Sequence, residues 1–412
     1  MTSAPLNQEC SLESDGKDQS LREYFIQFIL PTIFPIFDSN QHRQASSELI
    51  LSILESNGAF RHCCLCVAAQ HLKSHTNGSN STEQIDKEIM RHRYASIEAL
   101  RALKKDEKHQ QTLETTLGLA FSQAIVGHYD DDLPDDSWDL HFQTAMSLVQ
   151  KLKLPSIVSD PAKVSMQTPF IMSLSSWIDI LGATMKGRSP TFALTYRKKI
   201  LSQFNPSLGL RELMGCDDRV MHIISEIACL ESFKKVGMTD FALCQHILAL
   251  EEQIELTEMS DASSQMPFDV NGSLVPEQLT KNITIAFRIA ARVFLYSLVP
   301  GFNPREPCHI DLVEKLTTVL QHIPSGPHGF DRNLTWVYLI GGSISVPDSP
   351  FRPFFKDRLA RLGDSAKIGN IGRAAVLLVE VWAQNDRLSV ESTSYIHWRD
   401  VMESKKWDFL LL

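Results

Sequence analysis

The stretch GAFRHCCLCVAAQHL, Gly58–Leu72, reads as a helix that is apolar over most of its surface. Phe60, Cys63, Cys64, Leu65, Val67, Ala68, Ala69 and Leu72 leave a thin polar edge at Arg61, His62, Gln70 and His71. A helix with so little polar face belongs inside a helical domain. Small residues at Cys63, Cys66, Ala68 and Ala69 allow neighbouring helices to approach closely. The stretch predicts an all-α fold, a large multi-helix domain of antiparallel-packed helices, with Gly58–Leu72 at its centre.

Outward from it, the same helical period recurs. Residues 1–20 are polar and Ser-rich and predict a disordered tail. Leu21–Phe37 predicts a short helix ending in a Pro-broken turn, and Ala45–Glu55 a second helix. Thr82 is expected to cap a long helix with Ile85, Ile89, Tyr94, Ile97, Leu100 and Leu103 facing inward. Leu113–Ile125 continues the pattern, as does a helix from Trp138 that Pro155 is expected to stop. Further helices are expected near Met166–Met185, Asp218–Val236, Asp240–Glu258, Pro276–Val299, Asp311–Ile323, Asn333–Ser343, Pro350–Leu362, Ile371–Asn385 and Ser394–Met402. The polar stretch 260–273 reads as a flexible loop within one domain spanning 21–412. No strand alternation and no fixed-period repeat stands out.

The 412 residues carry a net charge of −9, with 43% hydrophobic and 22% charged residues. This balance argues against nucleic-acid binding through a broad basic face. Lys104-Lys105, Arg197-Lys198-Lys199 and Lys405-Lys406 are short and scattered. The longest apolar run, Phe25–Phe37, is broken by Pro31 and Pro35, so no membrane span is expected. Most of the eight Cys lie in apolar helical pattern, where reduced Cys acts as a small hydrophobe.

Three constellations raise chemistry. His62 and Cys66 are four apart and can face one zinc ion, but structural zinc sites draw ligands from separate turns, so no metal site is expected. Asp131, Asp132 and Asp135 match a DDxxD pattern, which in an all-helical chain is similar to the first magnesium motif of terpene cyclases. Pro134 would break the helix that must carry them. The nearest second motif, Asp217–Met221, has Met221 where a hydroxyl is needed. Trp177, Asp179, Arg188 and Phe192 mix polar and aromatic groups as a small-molecule pocket does. The plain alternative is that Trp177 packs in the core while Asp179 pairs with Arg188 or caps a turn. No catalytic set, nucleotide-binding glycine pattern or cofactor fingerprint is present. Gly341-Gly342 reads as close helix packing.

Taken in order, several stretches resemble the regulatory domain of fungal-specific transcription factors, over about Leu21–Leu412. They are FRHCCLCVAAQHL (Phe60–Leu72), HRYASIEALRAL (His92–Leu103), SWDLHFQTAMSLVQ (Ser137–Gln150), DILGATMKGRSPTF (Asp179–Phe192), WVYLIGG and the C-terminal HWRDVMESKKWDFLLL. The resemblance implies a nuclear transcriptional regulator or coregulator controlling a metabolic or secondary-metabolite gene set. It also implies a possible small apolar ligand. In that family a six-Cys basic zinc cluster precedes this region and contacts DNA. Here the residues before Leu21 hold only Cys10 and are acidic. Three expectations stay open: a partner that binds DNA supplies the contact, the chain is a fragment, or the cluster is lost; a partner complex or a homodimer is expected as the assembly. The alternatives in other classes are the magnesium-dependent enzyme above and a non-catalytic helical interaction scaffold.

Overall fold

The computed structural model describes residues 16–36, 43–75, 79–127, 138–159, 169–202, 207–258, 264–388 and 395–412. Among these the regular structure is helical, apart from one antiparallel bridge between Phe268, in the expected loop, and Leu274 just past its end. The all-α reading holds.

The first half runs α1 (residues 16–33), α2 (Arg43–Ser56), α3 (Gly58–Ser74), α4 (Ser79–Lys105), α5 (His109–Val126), α6 (Trp138–Lys151) and α7 (Leu154–Ser159). The second half runs α8 (Phe170–Lys186), α9 (Ala193–Ile200), α10 (Leu210–Met214), α11 (Asp218–Lys235), α12 (Asp240–Glu258) and α13 (Pro276–Tyr296). It continues through α14 (Pro307–Gln321), α15 (Thr335–Ser343), α16 (Phe351–Leu362), α17 (Gly369–Asn385) and α18 (Trp398–Ser404).

Several expectations are corrected. Helix α1 begins at residue 16, so residues 16–20 are helical rather than tail. It contains a π turn at Phe25–Ile29, just before Pro31, a residue with no N–H to give an ordinary helical bond. Thr82 lies inside α4, which already starts at Ser79. Tyr94 is exposed, and the buried stripe of α4 is Ile89, His92, Ser96 and Leu100. The helix from Trp138 ends at Lys151, before Pro155 as expected, and a separate short helix follows. Pro155 sits in the first turn of α7, where its missing N–H costs nothing. Helices α9 and α10 were not anticipated; each is short, and local periodicity over so few residues is weak.

Helix α3 packs on α4, α5, α2 and α1. Its Asn57 cap accepts from Phe60 N at 3.2 Å and donates to Glu114 Oε2 of α5 at 2.9 Å, tying the start of one helix to the side of another. His71, expected on the polar edge, is buried and bonded to Tyr24 Oη at 3.0 Å. Helix α3 is therefore the centre of the first half only. The second half is organised on α8, buried at every residue from Ile171 to Met185, and on α13 and α15. There Phe287 stacks on Trp336 at 5.8 Å and meets Trp177 edge-on at 5.5 Å. Trp336 Nε1 donates to Thr184 Oγ1 at 2.8 Å, so the indole leaves no orphan donor. A buried carboxylate, Asp331, accepts from Tyr338 Oη at 2.7 Å and Arg358 Nη1 at 3.2 Å.

Candidate ligand site beside the core helix

The apolar surface of α3 does not close completely on its neighbours. A cavity of about 60 Å³ lies between α1, α2, α3, α5 and the start of α8. Its walls include Phe25, Ile53, Phe60, Cys63, Cys64, Leu117, Phe121, Phe170 and Leu174, and Glu114 is the charged residue at its edge. Gly118 belongs to that wall because a Cβ there would stand 3.1 Å from the Phe60 ring and 3.4 Å from Cys63 Sγ. Burial raises the Cys64 thiol well above its ordinary range, so it lines the cavity as a small hydrophobe and not as a nucleophile.

A second cavity, about 50 Å³, shares Ile33, Phe121 and Ile125 with the first. Trp177, Thr32, Met214, Arg332, Asn333, Asn370 and Leu412 complete it. The pair is apolar at one end and carries a guanidinium and two amides at the other. Neither reaches the ~150 Å³ that holds a benzene in an engineered core.

The four residues expected to form a pocket are not brought together. Trp177 lines the second cavity. Asp179 points away and caps a turn: it accepts from Thr191 N at 2.8 Å, Phe192 N at 2.9 Å and Tyr196 Oη at 2.8 Å. Burial raises its pKa while these bonds oppose the rise. Phe192 is buried in the core through that turn. Gly187, left-handed at φ +58°, ends α8 and starts the reversal. Arg188 then projects to α6, pairing with Asp139 at 3.0 Å and lying 5.2 Å from the Phe142 ring. The sequence reading missed Arg332 and Asn333. They follow no local pattern, and only the packing of the 3₁₀ turn Asp331–Leu334 against α1 and α5 places them at the cavity.

His62 and Cys66 do not converge. His62 Nδ1 meets His92 Nδ1 at 3.0 Å, and Cys66 Sγ donates to Ile89 O at 3.6 Å. A closer grouping is Asp18, Glu88 and His92, whose ligand atoms lie within 4.8 Å of one another. Arg91 already stands among them, bonded to Asp18 and lying 2.7 Å from Glu88 and 3.0 Å from His92 Nε2. Glu306, Cys308 and His309 also lie together, at the start of α14.

Asp131, Asp132 and Asp135 lie outside the described residues. Asp217 and Asp218, nearest to a second magnesium motif, are used locally. Asp217 caps α11 through Arg219 N at 2.9 Å. Asp218 accepts from Ser207 Oγ, Leu208 N and Leu210 N at 2.7–2.9 Å.

An all-helical chain with adjoining internal cavities and no assembled catalytic set among its described residues fits a regulatory domain, and sequence comparison gives the class. The fungal-specific transcription factor domain model matches residues 20–412. The chain belongs to that family, a class of transcriptional regulators. Among individual proteins, it is 54% identical to the transcriptional regulatory protein pro1 of Neurospora crassa, over 99% of this chain and 62% of pro1. It is 20% identical to the trichothecene biosynthesis transcription regulator TRI10 of Fusarium sporotrichioides, over 94% of this chain and 96% of TRI10. Transcription factor dibT of Pestalotiopsis microspora matches at 24% over 55% of this chain and 38% of its own length. The chain thus spans less than two thirds of pro1. No solved structure matches it. None of the described helices is long and apolar enough to cross a membrane.

Proposed function

We propose that the chain is the regulatory region of a nuclear transcriptional regulator with no catalysis of its own. It reaches DNA through a DNA-binding partner and forms a homodimer or a complex with that partner, controls a metabolic or secondary-metabolite gene set, and takes a small ligand with apolar character in the cavity beside α3 or the one adjoining it. The observation that carries this is the family match over residues 20–412. The local use of Asp217 and Asp218 supports a regulator over a magnesium-dependent cyclase.

The test is deletion of the gene, with transcripts compared before and after and promoter occupancy measured for the full protein with and without partners. A coherent set of metabolic genes losing expression is expected. An unchanged transcriptome, or magnesium-dependent turnover of a prenyl diphosphate by the purified chain, would defeat the reading.

A further inference from the structure

We propose that the outer face of α12 is the surface on which a second copy of the chain docks, the two α12 helices lying antiparallel about a two-fold axis between Leu248 and Ala249. This rests on the regulator reading above and names the partner and the surface.

Helix α12 carries two apolar stripes. Leu243, Ile247, Leu250 and Ile254 are buried, and the helix packs on α11 and α13. On the opposite side Phe241 is 74% exposed, Leu248 70% and Leu256 59%. Seven and eight residues separate these three, so they stand on one stripe that points away from the domain. No other helix among the described residues exposes three large apolar side chains. Arg292 of α13 donates to Glu251 Oε1 at 2.7 Å and to Glu258 Oε1 at 2.8 Å. These bonds fix the roll of α12 and hold the apolar stripe outward. An exposed apolar stripe rimmed by polar residues marks a protein contact.

The order of residues along the stripe says what covers it. With Leu248 set opposite Ala249 of the partner subunit, Phe241 falls opposite Leu256 of the partner subunit, and Gln245 opposite Glu252 of the partner subunit. Apolar meets apolar, and a carboxylate meets an amide able to donate to it. In the same register Glu255 falls opposite Ala242 of the partner subunit and Glu258 opposite Thr239 of the partner subunit, so no acidic residue of α12 is set against another. A parallel pair would set Glu252 and Glu255 each against its own copy, a repulsive arrangement in a chain of net charge −9. Every antiparallel pair occurs twice, as an isologous two-fold contact requires. The stripe and its polar rim offer on the order of 500 Å² per copy, short of the ~800 Å² of a standard interface. The dimer is therefore reversible, with a Kd on the order of 10 μM.

The experiment is sedimentation velocity on the full chain from about 1 to 100 μM. A reversible monomer–dimer equilibrium is expected. Leu248→Glu is expected to weaken it at least about tenfold, while Tyr94→Glu, on the exposed face of α4, leaves it unchanged. Both side chains are exposed, so Tm and far-UV circular dichroism are expected to match wild type. Register is read with single added thiols in a chain whose Cys10, Cys244 and Cys308 are changed to Ser. In the antiparallel pair the thiols of Leu248→Cys meet across the two-fold axis and form an intermolecular disulfide on mild oxidation. Those of Phe241→Cys stand about 22 Å apart along the helices and form none. Any other pattern of crosslinks overturns the antiparallel pairing. A chain that stays monomeric at about 100 μM shows that another occupant covers the stripe and overturns the proposal, as does a dimer indifferent to Leu248→Glu. Either result leaves the regulator reading to its own transcript test.

Discussion

Trp138 Nε1 donates to Asp408 Oδ1 at 2.9 Å, joining positions 270 residues apart. Lys186 reaches the same carboxylate at 2.6 Å, with its ammonium 5.0 Å from the Trp138 ring. Beyond this clasp the chain turns inward and Phe409, Leu410, Leu411 and Leu412 are all buried. Leu410→Ala is expected to cost about 2–5 kcal/mol, the range for truncating a packed Leu. Trp138→Phe, which removes one hydrogen bond and some ring area, is expected to cost about 1–3 kcal/mol. Urea unfolding followed by far-UV circular dichroism measures both; a cost below ~0.5 kcal/mol for Leu410→Ala would mean that the segment is not docked.

Asp179 holds the reversal between α8 and α9 with three accepted bonds. Asp179→Ala strands two backbone N–H groups and the Tyr196 hydroxyl in the interior. The expected loss is about 3–5 kcal/mol. Tyr196→Phe removes one of the three donors and is expected to cost roughly a third as much. Equal costs for the two variants would contradict the capping role.

The burial of His92 makes stability depend on acid. Burial, then Arg91, depress His92 to about 4 from its ordinary value near 6.5, while Asp18 and Glu88 pull the other way and His62 adds to the depression. A histidine whose folded pKa lies below its unfolded one stabilises the fold above the unfolded pKa. That contribution fades as pH falls from about 6.5 to about 4. His92→Gln should flatten the fall in unfolding free energy between pH 7 and 4.5 by about 1–3 kcal/mol. Parallel pH curves for wild type and variant would refute the assignment.

Two helix glycines of α8 and α15 should respond oppositely. A Cβ on Gly182 would rest 3.5 Å from Trp138 and 3.6 Å from Leu410, ordinary contacts. Gly182→Ala is expected to be neutral or stabilising by up to ~1 kcal/mol through helix propensity. A Cβ on Gly342 would come within 2.8 Å of both Leu378 and Phe351. Gly342→Ala is expected to destabilise by about 1–3 kcal/mol. Thermal unfolding of the pair distinguishes these signs, and a shared sign would show that the close approach of α15 to α16 and α17 has been misread.

Much of the fold was legible because helical period is a local property. The bounds of α12 agree with the sequence reading at both ends, and those of α8, α11 and α17 fall close to it. The failures share one cause. Tyr94 was placed on the inner face of α4 by its hydrophobicity, yet the buried stripe takes His92 and Ser96 instead. Hydrophobicity ranks residues by transfer from water, whereas a buried polar group is accepted wherever a partner meets it. His92 has Arg91 and His62, and Ser96 donates to Ala59 O at 3.1 Å.

The candidate pocket shows the same division. Trp177 lies on the wall of the second cavity, and Gly341-Gly342 pack closely, as the sequence suggests. The grouping of Asp179 with Arg188 was a nearness along the chain that Gly187 undoes, sending one side chain inward and the other to α6. By itself the sequence determined the all-α architecture, the burial of Gly58–Leu72 and the family, because period, apolar surface and ordered landmarks are written residue by residue. Only the tertiary structure decided that α3 leaves a cavity at its side, and that Arg332 and Asn333 stand at a second, adjoining one lined by α1, α5 and α8. Partners for buried polar groups come from helices distant in sequence, and no local pattern encodes which ones arrive.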